Sequence, residues 1–283
     1  MTTSSCFIVG LPAAGKTTFL AALWHSLQHV GKTKLFLKSY TGDHSYLSHI
    51  EEVWLSAEKV SRTSIDNQKK SISLLLQDNN GCEYNISFPD LSGEIFQKQY
   101  VDREIDKEIA DEIIQSTALL LFINPETIIE SLLISEIASD LRENILSDVN
   151  FAARNPTKVD PTDTQLVEIL QFIADLKGTN NITMGVIVSA WDLIKEEKYP
   201  TPQEFIKERL PLLWQYLYSN RKIYNTLYFG ISAQGSSLNS SDEIKKIISF
   251  DHQIKRITVV DDNGNKGNDI TIPMWTMLRK GDT

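Results

Sequence analysis

Gly10-Leu-Pro-Ala-Ala-Gly-Lys-Thr17 places two glycines, a lysine and a hydroxyl at the spacing that phosphate chemistry needs. Successive backbone N–H groups of such a turn curl around phosphate oxygens, and the helix that follows adds its partial positive charge. Lys16 can reach the outer phosphates, and the Thr17 hydroxyl is placed for Mg²⁺. The expected nucleotide contacts are Gly10, Ala13, Ala14, Gly15, Lys16, Thr17 and Thr18. The alternative is a chance glycine-rich turn. A second group follows at Phe88-Pro-Asp90-Leu-Ser-Gly93-Glu94. A carboxylate at a strand end, Asp90, can hold a water on Mg²⁺. Gly93 has no side chain, so its N–H can approach an outermost phosphate and sense it. The bland reading is an ordinary strand–turn–helix junction.

Such groups work only if strands and helices hold them. Phe7-Ile-Val9 is short and apolar and reads as a central parallel strand. Leu20, Leu23, Trp24 and Leu27 give the next segment, about 16–30, a helical stripe. A short strand is expected at 35–37 and an inserted helix at 46–59. Runs at 71–77 and 84–88 flank the turn-rich Asp78-Asn-Asn-Gly81 and predict an antiparallel hairpin. Further strands are expected at 118–123, 184–188 and 225–231. Helices are expected at 103–115, 128–149, 165–176, 205–217, 239–250 and 273–278, with a loop over 150–164 and a loop or short hairpin at 257–268. The pattern predicts one α/β domain over 1–283 with the P-loop NTPase fold. Its sheet would be doubly wound and mostly parallel, with one antiparallel edge strand and helices on both faces. An inserted switch region would span about 38–68 and a C-terminal extension about 239–283. Ligands in this architecture sit beyond the carboxyl ends of the strands, where every group named above falls.

Bulk properties narrow the partners. The 283 residues are 41% hydrophobic, enough for a core, and the net charge is −9. That charge offers no general attraction to nucleic acid or anionic membrane, and there is no dense Lys/Arg stripe. Nucleic acid is therefore not an expected partner. The two cysteines, Cys6 and Cys82, read as buried thiols in a reducing compartment. No signal peptide and no membrane-spanning run is evident, so a cytoplasmic protein is expected.

With the motifs at 10–17 and 90–93, the chain resembles the TRAFAC-class GTPases, translation-factor-related and Ras-like, by order and spacing over about 6–234. It looks closest to bacterial GTPase-like domains that come as paired or partner-dependent proteins. The resemblance places the guanine-reading Asn/Thr-Lys-x-Asp element on Ser189-Ala190-Trp191-Asp192, and the second base loop on Ser232-Ala233-Gln234. Asp192 lies just past a buried strand, where its carboxylate can accept two bonds from the guanine ring; a helix cap is the alternative. The resemblance implies that the Ala233 N–H contacts the guanine carbonyl. Ala190 stands where the family has lysine, which shifts part of the burden to Trp191, either stacked on the base or packed in the core.

The resemblance also requires a switch threonine that binds Mg²⁺ from a loop able to rearrange. Thr63 fits it, with Thr41 second, and the neighbouring Arg62 can place a guanidinium on the transferring phosphate or simply sit in solvent. Metal ligands would thus be Thr17, Thr63 and Asp90, and the catalytic set Lys16, Thr63, Gly93 and Arg62. Glu94 stands where the family carries a water-orienting glutamine, and its charge opposes approach to phosphate. What this implies is GTP and GDP binding with Mg²⁺, slow hydrolysis, and a protein effector or activator contacting about 38–68 and 90–103. A non-hydrolysing nucleotide scaffold, an ATPase and, more remotely, a small-substrate kinase are the competing readings.

Overall fold

The computed structural model describes residues 4–29, 33–58, 71–89, 93–131, 155–178, 181–236, 238, 241–250 and 252–280. Its strands are β1 (Ser4–Val9), β2 (Leu35–Thr41), β3 (Ile72–Asp78), β4 (Glu83–Phe88), β5 (Ala118–Ile123), β6 (Ile182–Ser189), β7 (Tyr224–Ser232), β8 (Thr258–Val260) and β9 (Lys266–Gly267). They form one sheet in the order β2-β3-β4-β1-β5-β6-β7-β8-β9. The five strands from β4 to β7 run parallel. β2, β3 and β4 pair antiparallel on one side, and β7, β8 and β9 on the other. Antiparallel pairing therefore borders the parallel centre on both sides, where the sequence suggested a single edge strand.

Alternation along the central strands splits the core into two layers. Cys6 and Ile8 of β1 face one layer with Ala118, Leu120 and Phe122 of β5. Phe7 and Val9 face the other with Leu119, Leu121 and Ile123. The first layer is closed by α1 (Lys16–His29), α2 (His44–Leu55) and the helix Ile272–Lys280. The second is closed by α3 (Glu94–Asp102), α4 (Lys107–Gln115) and the helices Thr162–Lys177, Pro202–Arg209 and Pro211–Ser219. The C-terminal part is built into the core: Gly185 of β6 lets Met277 approach so closely that a Cβ there would lie 2.3 Å from its sulfur.

Several helix boundaries differ from the sequence expectation for local reasons. α2 begins at His44 because the Asp43 carboxylate caps it, accepting from Ser45 N and Tyr46 N. It stops at Leu55, and Ala57 just beyond turns left-handed (φ 54°). The helix expected over 103–115 starts later, at Lys107, because left-handed Arg103 (φ 61°) closes a separate helix, α3, that the sequence did not announce, and Asp106 then starts α4. The helix over 205–217 breaks at Leu210-Pro211, since proline pushes the preceding residue out of the helical region. The expected helix over 128–149 has no helical residue among 128–131, and its remainder lies outside the described residues. Cys6 is buried, and burial pushes its thiol pKa up. Cys82 is exposed in the turn before β4, so the reading of two buried thiols fails there.

Trp54 of α2 is fully buried, and its indole N–H donates to the Ala233 carbonyl over 2.9 Å. The Arg256 guanidinium lies 3.6 Å above its ring. Trp54→Ala is expected to cost about 3–5 kcal/mol through the cavity alone, read as a lowered urea midpoint at unchanged slope. A loss under about 1 kcal/mol would mean that α2 is not part of the cooperative core.

Candidate functional site

The carboxyl ends of β1, β5, β6 and β7 stand side by side, as the pairings Val9↔Leu121, Ile123↔Val188 and Ser189↔Ile231 require. The turn at 10–15 leaves β1 and enters α1. Ala13 (φ 60°) and Gly15 (φ 93°) both adopt left-handed backbone, which curls the chain back on itself. A Cβ at Gly15 would lie 2.8 Å from the Ser189 side chain, so only glycine fits beneath β6.

Lys16 is 2% exposed. Its ammonium donates to the carbonyls of Gly10 (2.8 Å) and Leu11 (3.0 Å), which fixes the head group at the mouth of the turn. Ala14 is buried, Ala13 is exposed, and Thr17 and Thr18 stand half-buried in the first turn of α1. Gly93 (φ 78°) closes over the same point. A Cβ there would meet Lys16 Nζ at 2.6 Å and the Gly10 carbonyl at 2.7 Å. Gly93, the expected sensor, and Lys16, the expected phosphate ligand, are thus in contact. Glu94, the first residue of α3, is exposed. Asp90, Thr63 and Arg62 lie outside the described residues. Thr41, the second choice for the switch threonine, ends β2 and is paired with Ser73 in the sheet.

The base-reading loops also come together. Ser232 Oγ donates to Asp192 Oδ1 over 2.5 Å and accepts from Gly235 N over 3.0 Å. Asp192 is exposed as a residue while its carboxyl is crowded. That crowding pushes its pKa up, the Ser232 bond pulls it down, and Glu243 pushes it up again. Ala190 holds left-handed backbone (φ 47°), a strain of about 1–3 kcal/mol that turns Asp192 outward from the strand end. Trp191 turns the other way. It is 3% exposed, sits edge-on to Phe205 at 6.2 Å, and lies against Gly230, where a Cβ would be 2.4 Å from the indole. The stacking reading is corrected: a ring held in that layer has no face to offer a base.

Asn124 had no assigned role in the sequence reading, and Ser189 was expected only as the first residue of the base-reading element. Asn124 directly follows β5, and its amide donates to the Ala13 carbonyl over 3.0 Å, tying the phosphate turn to the neighbouring strand. Its place between a buried strand and Pro125 was the available signal. Ser189 sits under Gly15 and donates to the Ile123 carbonyl over 3.2 Å. A cleft of about 180 Å³ lies on the outer side of the turn, lined by Leu11, Ala13, Gln97, Asn124, Thr162 and Gln165. Neither Lys16, Thr17 nor Asp192 lines it, so it flanks the expected phosphate site.

α3 is anchored at its far end. Tyr100 OH donates to Asp160 Oδ2 over 2.5 Å, buried Gln99 donates to Glu168, and Arg103 pairs with Glu168.

A mostly parallel sheet with this turn after its first strand, an Asp192–Ser232 pair at the ends of β6 and β7 and Gly93 against the Lys16 ammonium has the architecture of a P-loop GTPase domain. The chain belongs to the Double-GTPase 1 family, whose model matches residues 7–277. Among solved structures it is similar to the Ski7 GTPase-like domain of S. cerevisiae bound to GTP, with 11% identity, 99% of this chain and 50% of that one covered, and a TM-score of 0.46. It is similar to a bacterial selenocysteine-specific elongation factor, EF-Sec, at 13% identity, 88% and 29% coverage, and a TM-score of 0.39. A putative nucleolar GTP-binding protein 1 of Plasmodium falciparum matches at 10% identity, 87% and 84% coverage, and a TM-score of 0.37. The chain spans half or less of the length of the first two. No curated protein matches it. No described helix is long and apolar enough to cross a membrane.

Proposed function

We propose that the chain binds GTP with Mg²⁺, hydrolyses it slowly to GDP and acts in the cytoplasm as a partner-dependent switch. The contact of Gly93 with the Lys16 ammonium carries this reading. An outer phosphate drawn to Lys16 must share that space with Gly93, so its arrival and loss reposition the start of α3. Segments 38–68 and 90–103 are then the surface that a protein effector or activator reads. The turn fits Mg²⁺ to the extent described: Thr17 stands beside Lys16 in the first turn of α1, with Thr63 and Asp90 the proposed further ligands. When bound, Mg²⁺ neutralises charge on the outer phosphates.

In the reaction a water oxygen attacks the outer phosphorus in line, the bond to the GDP oxygen breaks, and the water's proton leaves with phosphate. Lys16 and backbone N–H groups of the turn stabilise the charge on the transferring group. Arg62 is the proposed further cation there. Asp192, oriented by Ser232, reads guanine, and the Ala233 N–H reads its carbonyl. Glu94 brings negative charge where a neutral donor would help, which keeps intrinsic turnover at about 10⁻² s⁻¹ or slower.

Calorimetric titration with GTP, GDP and ATP in Mg²⁺, with phosphate release followed in the same samples, tests this. Guanine-selective binding with slow release supports the switch. Binding without release makes the chain a scaffold, and equal ATP affinity makes it an ATPase. Gly93→Ala separates sensing from binding. Its methyl has no space beside Lys16, and φ 78° adds strain of about 1–3 kcal/mol. GDP affinity should stay within about threefold while the preference for GTP over GDP shifts by about tenfold or more. An unchanged GTP/GDP ratio would remove Gly93 as the sensor.

A further inference from the structure

At the other end of α1 a separate group of side chains converges. His25 and His29 stand one turn apart on its last two turns, so both project from one face. Glu51 of α2 faces them. His25 Nδ1 is 2.6 Å from Glu51 Oε1, and His29 Nδ1 is 3.8 Å from the same oxygen. The rings stack with centroids 4.5 Å apart. One donor atom from each of the three lies within 4.8 Å of the other two. We infer that His25, His29 and Glu51 form a site for a divalent transition metal, zinc by ligand type, that fastens α1 to the inserted helix α2.

The chemistry suits such an ion. Two imidazoles and one carboxylate are ligands that zinc accepts with bonds of about 2.0–2.2 Å, leaving further positions for water. The donors are already within 4.8 Å of one another, so side-chain rotation of the three residues would direct them at one ion. Burial lowers the pKa of His25 against the raising effect of Glu51. Glu51 would exchange its bond with His25 for one to the ion. His29 is 56% exposed, so the ion has an entry path and an open side. Arg256 is the opposing charge nearby, and Glu51 offsets it.

The site is distinct from the nucleotide site. α1 has 14 residues, which places His29 about 20 Å from Lys16. It is nevertheless connected to the base loop. Trp54, one turn beyond Glu51 on α2, packs against His25 with ring centroids 5.2 Å apart and donates to the Ala233 carbonyl. An ion that fixes α2 to α1 therefore also fixes a support of the guanine loop.

The test is titration of the whole chain, in excess Mg²⁺, with Co²⁺ followed by visible absorption and with Zn²⁺ followed by calorimetry. One equivalent is expected, with a low-symmetry Co²⁺ spectrum and a raised unfolding temperature. His29→Ala changes a half-exposed residue and leaves folding intact, and Glu51→Gln preserves shape and the bond to His25. Each should weaken Zn²⁺ affinity by about tenfold or more, whereas Lys16→Met should leave it unchanged. No saturable binding at 100 μM metal (~, a ceiling typical of adventitious surface sites), affinity unaffected by His29→Ala and Glu51→Gln, or loss in Lys16→Met would each overturn the assignment.

Discussion

Lys16→Ala is expected to abolish measurable binding of GTP and GDP alike. The ammonium is already desolvated and aimed by the Gly10 and Leu11 carbonyls, so a nucleotide meets a preorganised charge. Charge-assisted bonds of this kind are worth about 1.5–3 kcal/mol each, and two phosphate contacts give about 3–6 kcal/mol. That is a loss of about 10²–10⁴-fold in affinity. The substitution has a second effect, since removing a buried side chain takes a donor from the Gly10 and Leu11 carbonyls and opens space. Lys16→Met controls for it, because methionine refills the volume of the stem without the charge. Both variants should lose binding to the same degree by calorimetry, and Lys16→Met should unfold in urea within about 1–3 kcal/mol of the parent. Binding retained within tenfold in Lys16→Met would show that the phosphates sit elsewhere.

The phosphate turn was legible because its chemistry restricts residue types at fixed spacing, and no other local structure asks for Gly15-Lys16-Thr17 after a buried strand. The central strands were legible for a related reason: β1, β5 and β6 are buried on both faces and read as unbroken apolar runs. What escaped depends on partners distant in the chain. α3 buries only Phe96, Gln99 and Tyr100, and two of these carry polar groups that bond to Glu168 and Asp160 from segments some sixty residues on. Its apolar period is therefore too weak to announce a helix. Trp191 could stack or pack until Gly230, on the next strand, was seen to make room for it. The bond from Trp54 to Ala233 spans 179 residues, and that between Arg256 and Trp54 spans 202. The break at Leu210 is different, since Pro211 was visible all along and the continuous apolar stripe masked it.

Asp192→Asn is expected to turn guanine preference toward xanthine. Guanine presents two donors, its ring N–H and exocyclic amine, to a carboxylate that accepts both. Asparagine offers one acceptor and one donor, which matches xanthine, where a carbonyl replaces the amine. The fold decides which way the amide points. Ser232 Oγ donates to Oδ1, so the oxygen of asparagine keeps that place and the NH₂ group takes the position of the second carboxylate oxygen. With Trp191 committed to the core and Ala190 too short to cover a base, discrimination rests more heavily on this one side chain than in a domain that has the lysine. A bidentate base contact is worth about 1–3 kcal/mol, so GTP affinity should fall by about 5–150-fold while that for XTP rises. Ser232→Ala should produce a smaller loss of GTP affinity and no gain for XTP, because the carboxylate remains but is no longer oriented. Competition of GTP and XTP against a fluorescent guanine nucleotide reads all three proteins on one scale. If Asp192→Asn kept its GTP affinity and Ser232→Ala did not, the base would be read by the backbone of the Ser232 loop instead of by Asp192.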